Sequence, residues 1–295
     1  MKKLILLVVC VVSLAVNSYS QYFFYNDRYY DKDLLWEVGG TLGLMEGITD
    51  VGTRTGSSLS PHTYDRKMLN KSAGLHVGVL YKGLVEGRIQ LIKGGISGDD
   101  KHSNNPWIRN RNLSFKSSIV EVSAMGAIYP FALLNLGTPF GMLPYFTAGV
   151  AYFSFNPKTL YNGKWVALRP LSTEGQTFAE TRYKQQYNLH QFGLPFGVGI
   201  KYELSPKWNF RCEALYRHTF TDYLDDVSGT YPDPTVFQKN FDPATAAVAK
   251  ALSNRSLTHS VPVTGTSRGN GNANDAYMSF SVKIGFVFGR NRVGG

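Results

Sequence analysis

Cysteine is almost missing from this chain. Its 295 residues include 2, Cys10 and Cys212. Cys10 lies inside an N-terminal apolar run that reads as a removable leader. It follows Val9, which is not small, so a lipoprotein site is not the reading there. Cys212 is then left alone, which excludes an internal disulfide framework. Charge is also sparse, at 18% of residues, below a typical soluble domain. Past the leader no window approaches the roughly 18 consecutive apolar residues of a helical membrane span, so that class is excluded. The six His, at 62, 76, 102, 190, 218 and 259, are dispersed and form no zinc-spaced pair. There is no nucleophile elbow. Glycine pairs such as Gly197-Val-Gly199 lie inside a strand pattern and lead into no helix, so they are not phosphate loops. No internal repeat is found, and Gly265–Gly271 is the one low-complexity stretch, expected as a mobile loop segment.

Aromatics and glycine are plentiful: 18 Phe, 18 Tyr and 30 Gly. Lys2 and Lys3, the apolar run Leu4 to Val16, and the small residues Ser18 and Ser20 mark residues 1–20 as a cleaved signal peptide. Residues 21–33 then read as a polar-aromatic periplasmic leader, and 34–290 as one folded unit. The formal charge of +10 is spread among acidic neighbours. In an exported chain this fits the lipid bilayer and the anionic headgroups of lipopolysaccharide, and not nucleic acid.

The dominant pattern is alternation of period two, the mark of a strand with one apolar and one polar face. Residues 190–204 are the clearest case. His190, Phe192, Leu194, Phe196, Val198, Ile200, Tyr202 and Leu204 oppose Gln191, Gly193, Pro195, Gly197, Gly199, Lys201 and Glu203. Residues 276–288 repeat it, and 34–46, 73–81, 84–96, 114–129, 144–155 and 208–220 follow less perfectly. Lys82-Gly83 and Ser205-Pro206-Lys207 are tight turns, and 130–143 is a moderate link. The remaining connections, 47–72, 97–113, 156–189 and 221–275, are long. Short and long connections therefore alternate. The expectation is an all-β fold: a closed up-and-down antiparallel transmembrane β-barrel of about eight strands in the cell outer membrane, with short periplasmic turns and long extracellular loops. Trp36, Tyr81, Tyr129, Phe131, Tyr145, Tyr202 and Trp208 fall near the periplasmic strand ends and are expected to form an interfacial girdle.

The inward face should then carry Glu37, Glu86, Arg88, Glu121, Lys201, Glu203, Arg211, Glu213, Arg217 and Lys283. Charges of both signs in a narrow barrel favour a paired polar plug. A conduction path or an internal acid/base site is the alternative. In the last long loop, Asp222, Asp225 and Asp226 flank Tyr223. Three carboxylates this close raise Ca²⁺ binding, but the sharp-turn Gly and the twelfth-position Glu of a calcium loop are absent, so a capped turn is preferred. His190 and His218 near the outer headgroup zone raise a lipid-modifying enzyme as a minor reading. No cofactor, metal or catalytic residue is assigned.

Several stretches resemble a family of outer-membrane β-barrels of Bacteroidetes-type bacteria, which includes the accessory barrel PorG of the type IX secretion system. They are Arg111-Asn-Leu-Ser-Phe-Lys116, Glu121, Tyr152-Phe-Ser-Phe-Asn-Pro-Lys158, Trp165-Val-Ala-Leu168, Leu171-Ser-Thr-Glu-Gly-Gln176, Phe196-Gly-Val-Gly-Ile-Lys-Tyr202, Glu213 and Arg217 to Ser228. The resemblance implies a non-enzymatic component of protein secretion or gliding machinery that docks a periplasmic ring or neighbouring outer-membrane subunits. It also implies that Asn156, Pro157 and the run Asp222 to Ser228 order the extracellular end. A surface binder or adhesin working through the long loops is the second reading.

Overall fold

The structure, a computed structural model, describes residues 29–52, 68–134, 142–181, 185–258 and 261–292. The expected signal peptide, residues 21–28 of the leader and much of the 47–72 connection lie outside the described residues.

Eight long strands form the wall. They are β1 (Tyr29–Ile48), β2 (Asn70–Tyr81), β3 (Val85–Asp99), β4 (Ser114–Ile128), β5 (Met142–Ser154), β8 (His190–Ser205), β9 (Trp208–Thr219) and β10 (Ala276–Arg292). Each corresponds to one of the predicted segments. A short hairpin, β6 (Pro157–Tyr161) and β7 (Lys164–Ala167), stands outside the wall. β1 starts earlier than expected, so residues 29–33 of the predicted leader are strand.

All pairings are antiparallel, and the ring closes on itself. β1 pairs with both β2 and β10, β3 pairs with β4, and β5 pairs with β8. Closure is what lipid demands, since a sheet edge in hydrocarbon would leave peptide groups without partners. Among the described residues no helix is long and apolar enough to cross a membrane; the strands do the crossing.

The turns at one end are short for identifiable reasons. Lys82 and Gly83 both hold positive φ, 50° and 71°, the backbone a tight hairpin needs to match strand twist. Ser205 pairs directly with Trp208 across the next turn. The four longer connections all leave from the other end.

Alternation decides the two faces. On β8, Phe192, Leu194, Phe196, Val198 and Ile200 are exposed, while Lys201 is buried. On β10, Phe280, Val282, Ile284 and Phe288 are exposed and Ser279, Ser281 and Lys283 are buried. A water-soluble protein would not expose a continuous apolar wall of this extent. The exposed wall is the lipid-facing surface of an outer-membrane β-barrel. Trp36, Tyr81, Tyr202 and Trp208 lie on it near the short-turn end, as an aromatic girdle requires. Tyr129 and Tyr145 do not: both are about 1% exposed and point into the lumen. Their strand parity, set by Ala127 and Thr147 inside, turns them away from lipid.

The long connections do not behave as free loops. They contain α1 (Pro106–Arg111), α3 (Thr235–Asn240) and α4 (Pro243–Ser253), whereas the short α2 (Pro130–Leu133) belongs to the β4–β5 link at the opposite end. α4 begins with Asp242 accepting from the Ala244 and Thr245 backbone N–H groups and Pro243 in its first turn, a strong N-terminal signal. It buries Ala246, Ala249 and Leu252. These join Val51, Leu113, Leu168, Leu171, Phe178, Leu224, Val236 and Phe237 in one apolar cluster, continuous with Met45, Ile96, Ile119, Phe153 and Tyr277 at the top of the lumen. At roughly 1.5–3 kcal/mol for each fully buried large side chain, this is a folded cap over the extracellular mouth.

Candidate functional site

The lumen is packed from bottom to top. At its base Leu35, Leu80, Ala127, Tyr129, Tyr145 and Val287 form a small apolar cluster. Above it Arg211 of β9 reaches two carboxylates, one from β1 and one from β3. One guanidinium nitrogen lies 2.8 Å from each oxygen of Glu86, and another lies 2.8 Å from Glu37 Oε2. Glu37 also accepts from Asn209 at 2.5 Å and lies 3.2 Å from His76 Nε2. The Tyr129 hydroxyl donates to Glu86 at 2.6 Å.

The next layer centres on Glu213. Arg88 donates to it at 2.5 Å, the Tyr145 hydroxyl at 2.9 Å, and Lys283 pairs with its other oxygen. Lys283 also donates to Gln90 at 3.0 Å. Higher still, Glu121 accepts from Arg217 at 3.1 Å, Tyr277 at 2.7 Å and Ser123 at 3.1 Å. Near the base, Lys201 lies 3.5 Å from Glu203, which accepts from Arg290 at 2.7 Å.

All ten sequence-predicted lumen residues therefore project inward, with as many cations as carboxylates. Nine are under about a tenth exposed; Glu203 is half-buried near the periplasmic rim. The structure brings Glu37, Glu86, Arg88, Arg211, Glu213 and Lys283 into one continuous network, and sets Glu121 with Arg217, and Lys201 with Glu203, above and below it. Sequence reasoning missed His76, Gln90, Asn209, Tyr129, Tyr145 and Tyr277. Their inward parity was readable from their own strands, but Tyr129 and Tyr145 were assigned to the girdle and the other four, being uncharged, were not counted with the lumen charges. Buried charges persist only when paired and hydrogen-bonded, and here the pairing fills the bore. The space left beside Glu37, Glu86 and Arg211 is about 10 Å³, at the lower limit for one water molecule. A conduction path of the porin kind does not fit this interior.

The second polar assembly holds the cap together. Asp100 takes a two-point grip from Arg111, at 2.8 and 2.9 Å, and accepts from the Gly52 and Leu113 backbone N–H groups. Arg111 donates onward to the Arg268 carbonyl at 2.6 Å and the Asp50 carbonyl at 2.8 Å. Arg268 is about 1% exposed. It donates to Glu174, to the Asp226 carbonyl at 2.7 Å and to the Ser253 carbonyl at 3.1 Å. The expected mobile segment Gly265–Gly271 is thus pinned through its centre. All the long connections meet at these two arginines.

Asp225 and Asp226 sit inside this hub. Asp225 accepts from the Val51 and Val227 backbone N–H groups at 2.8 and 2.9 Å. Asp226 accepts from the Thr173 hydroxyl at 2.5 Å and the Tyr187 hydroxyl at 2.7 Å. Tyr223 stacks on Tyr187, centroids 4.7 Å apart. Asp222 is different: neither carboxylate oxygen makes a well-formed hydrogen bond. Burial pushes it up to about 8; the Ser228 side chain offsets this only in part, and the charges of Asp225, Asp50 and Glu174 add to the shift. Burial likewise raises Asp225 to about 7 and Asp226 to about 6. The run is more than a capped turn; it is the keystone of the cap. Among the described residues no group of three or more His, Cys, Asp or Glu side chains is arranged to hold a metal ion.

Asn156 and Pro157 anchor the hairpin to the wall. The Asn156 backbone N–H donates to the Ser117 hydroxyl at 2.9 Å, and Pro157 pairs with Ser117. His190 stacks on Tyr152 and His218 meets the Phe220 ring edge-on. Among the described residues neither imidazole is joined to a Ser and a carboxylate, the arrangement of a Ser-His-acid triad.

The sequence matches a family described as a domain of unknown function, DUF6089, over residues 36–241. The protein belongs to the DUF6089 family. The match runs from the first wall strand through β9 to α3, so the family covers most of the barrel and much of both assemblies described above. No curated protein matches this chain. Among solved structures it is similar to the N-terminal β-barrel domain of Pseudomonas aeruginosa OprF, at 10% identity over 88% of this chain and 100% of that one, TM-score 0.33. Neisserial surface protein A is similar at 7% identity over 87% and 98%, TM-score 0.36. A major outer membrane protein of Thermus thermophilus is similar at 12% identity over 87% and 100%, TM-score 0.38. The barrel rests on its own hydrogen-bonded ring.

Proposed function

We propose that this DUF6089 barrel is a non-enzymatic, non-conducting scaffold that holds a folded cap outside the membrane, as an accessory component of type IX protein secretion or gliding machinery. The observation that carries the scaffold reading is the filled bore: with Arg211 and Arg88 interlocking Glu37, Glu86 and Glu213, the wall serves as a rigid post. The secretion setting is supported by the resemblance, whose longest run, Arg217 to Ser228, supplies the keystone of the cap. Periplasmic-ring or outer-membrane subunits of that machinery are the expected partners. Co-purification in mild detergent at native abundance tests this. Secretion subunits should elute with the barrel, and its deletion strain should lose secretion. A barrel that elutes alone from cells whose secretion survives its deletion rules the setting out.

A second reading, a surface binder, is favoured by one feature of the cap: a cleft of about 1130 Å³ beside α3 and α4.

A further inference from the structure

The cleft of about 1130 Å³ on the extracellular side has a one-sided chemistry. It lies between the β6–β7 hairpin, the segment from Tyr231 to Phe241, and α4 with the chain that follows it. Its lining includes two cations, Lys250 and Arg255, and, among the described residues, no carboxylate. Arg255 is held in place by the hydroxyls of Ser114 and Thr159, at 3.1 and 2.9 Å. Lys250 is exposed, and no side-chain partner for it is found among the described residues. Half-buried rings of Tyr161 and Phe241 and the exposed amides of Asn162 and Gln238 complete the surface.

We propose that this cleft binds an acidic oligosaccharide, a chain of sugar rings bearing carboxylate or phosphate groups. The inference rests on the cap acting as a recognition surface. Sugar rings present apolar C–H faces that lie against aromatic side chains, and hydroxyls that both donate and accept. Side-chain amides match such hydroxyls because they too offer both roles. A fixed guanidinium and an unpaired ammonium supply the charge complement for the acid groups. The volume stands at the large end of small-molecule pockets, which run to roughly 1,000 Å³, so it suits several rings. A peptide adding itself as a strand is disfavoured, because the free edge strand β7 does not line the cleft.

The test uses the full mature barrel in detergent micelles and calorimetric titration with tetragalacturonate, maltotetraose and tetraglutamate. Tetragalacturonate should bind at least about tenfold more tightly than either other probe, and its affinity should fall as salt screens the attraction. Lys250→Glu should weaken it by about tenfold or more, Gln238→Ala by less, and Lys71→Glu, on the outer end of β2, not at all. Both cleft variants change exposed side chains, so unchanged thermal melting would confirm that the fold is intact. Equal binding of the neutral sugar, tighter binding of tetraglutamate, no binding by tetragalacturonate, or indifference to Lys250→Glu would each overturn the proposal. Competition by the polysaccharide freed from the cell's own lipopolysaccharide would assign the ligand to the bacterial surface; failure to compete would assign it to an external glycan, with the same chemistry. Lack of glycan binding leaves recognition by the cap to a separate test, in which Lys250→Glu and Gln238→Ala cells are compared for surface attachment.

Discussion

Arg211 shows how a single residue holds the wall in register. Its guanidinium touches carboxylates from β1 and β3 while the residue itself sits on β9, so three strands are tied through one group. Removing it leaves Glu37 and Glu86 buried with too little positive charge. Breaking a buried pair in this way costs about 3–5 kcal/mol. Arg211→Gln should therefore lower the urea midpoint of the refolded barrel clearly, while Arg211→Gln combined with Glu86→Gln should recover part of the loss. If the double variant is worse than the sum of the two single ones, the ion pairing is not what sets the stability. Glycine makes room for this network. A Cβ on Gly285 would collide with the Glu37 carboxylate, and one on Gly199 would collide with the Tyr145 ring. The ten charged lumen residues were legible from alternation alone, since a charge on a wall that faces lipid on one side has to point inward. Tyr129 and Tyr145 were misplaced because an aromatic near a strand end suits either the girdle or the lumen, and only partners such as Glu86 and Glu213 distinguish them.

At the scale of elements, the wall strands were readable and the cap was not, for a definite reason. Each wall strand states its identity within its own residues, through alternation and turn chemistry. The cap is assembled by contacts between segments far apart in sequence, such as Arg111 with Arg268 and Val51 with Asp225. Even so, two of its parts carried local signals. Tyr161-Asn162-Gly163-Lys164 contains the Asn-Gly pair of a two-residue hairpin, and both central residues have positive φ, 48° and 76°. Asp242-Pro243 before an alanine-rich run marks a helix start. The hub also gives the cap a pH dependence. Asp222, Asp225 and Asp226 are raised to about 8, 7 and 6 by burial first, against about 3.9 for a free Asp. Groups raised on folding contribute stability that is complete below the unfolded value and lost as pH climbs through the folded one. The cap should therefore be most resistant to proteolysis near pH 4, lose resistance progressively as pH rises from about 4 to 8, and level off above that. Asp222→Asn should flatten that decline and stabilise the cap at pH 8. Resistance that grows with pH in this range would contradict the assignment of these carboxylates.

The whole molecule makes a claim about direction: cap outside, short turns in the periplasm, Cys212 in lipid. These three positions are separable by thiol chemistry, because Cys212 is the free cysteine on the described chain and faces outward from the wall. In intact cells, Gln238→Cys on α3 in a Cys212→Ser background should react with a membrane-impermeant maleimide. Lys207→Cys, in the β8–β9 turn, should react only after the outer membrane is opened. The native Cys212 should resist the impermeant reagent in both conditions and accept a lipid-soluble one, since the thiol needs a reagent that enters hydrocarbon. The same purified barrel in a planar bilayer should give no stepwise current, because a bore closed by paired charges and a residual space near 10 Å³ offers an ion neither water nor a free site. Labelling of Lys207→Cys from outside with Gln238→Cys protected would invert the molecule, and steady conductance would mean that the lumen network opens in lipid. Either result would remove the physical basis for a scaffold that presents its cap to the exterior, since both the direction of the cap and the stiffness of its post depend on the filled barrel spanning the membrane in this sense.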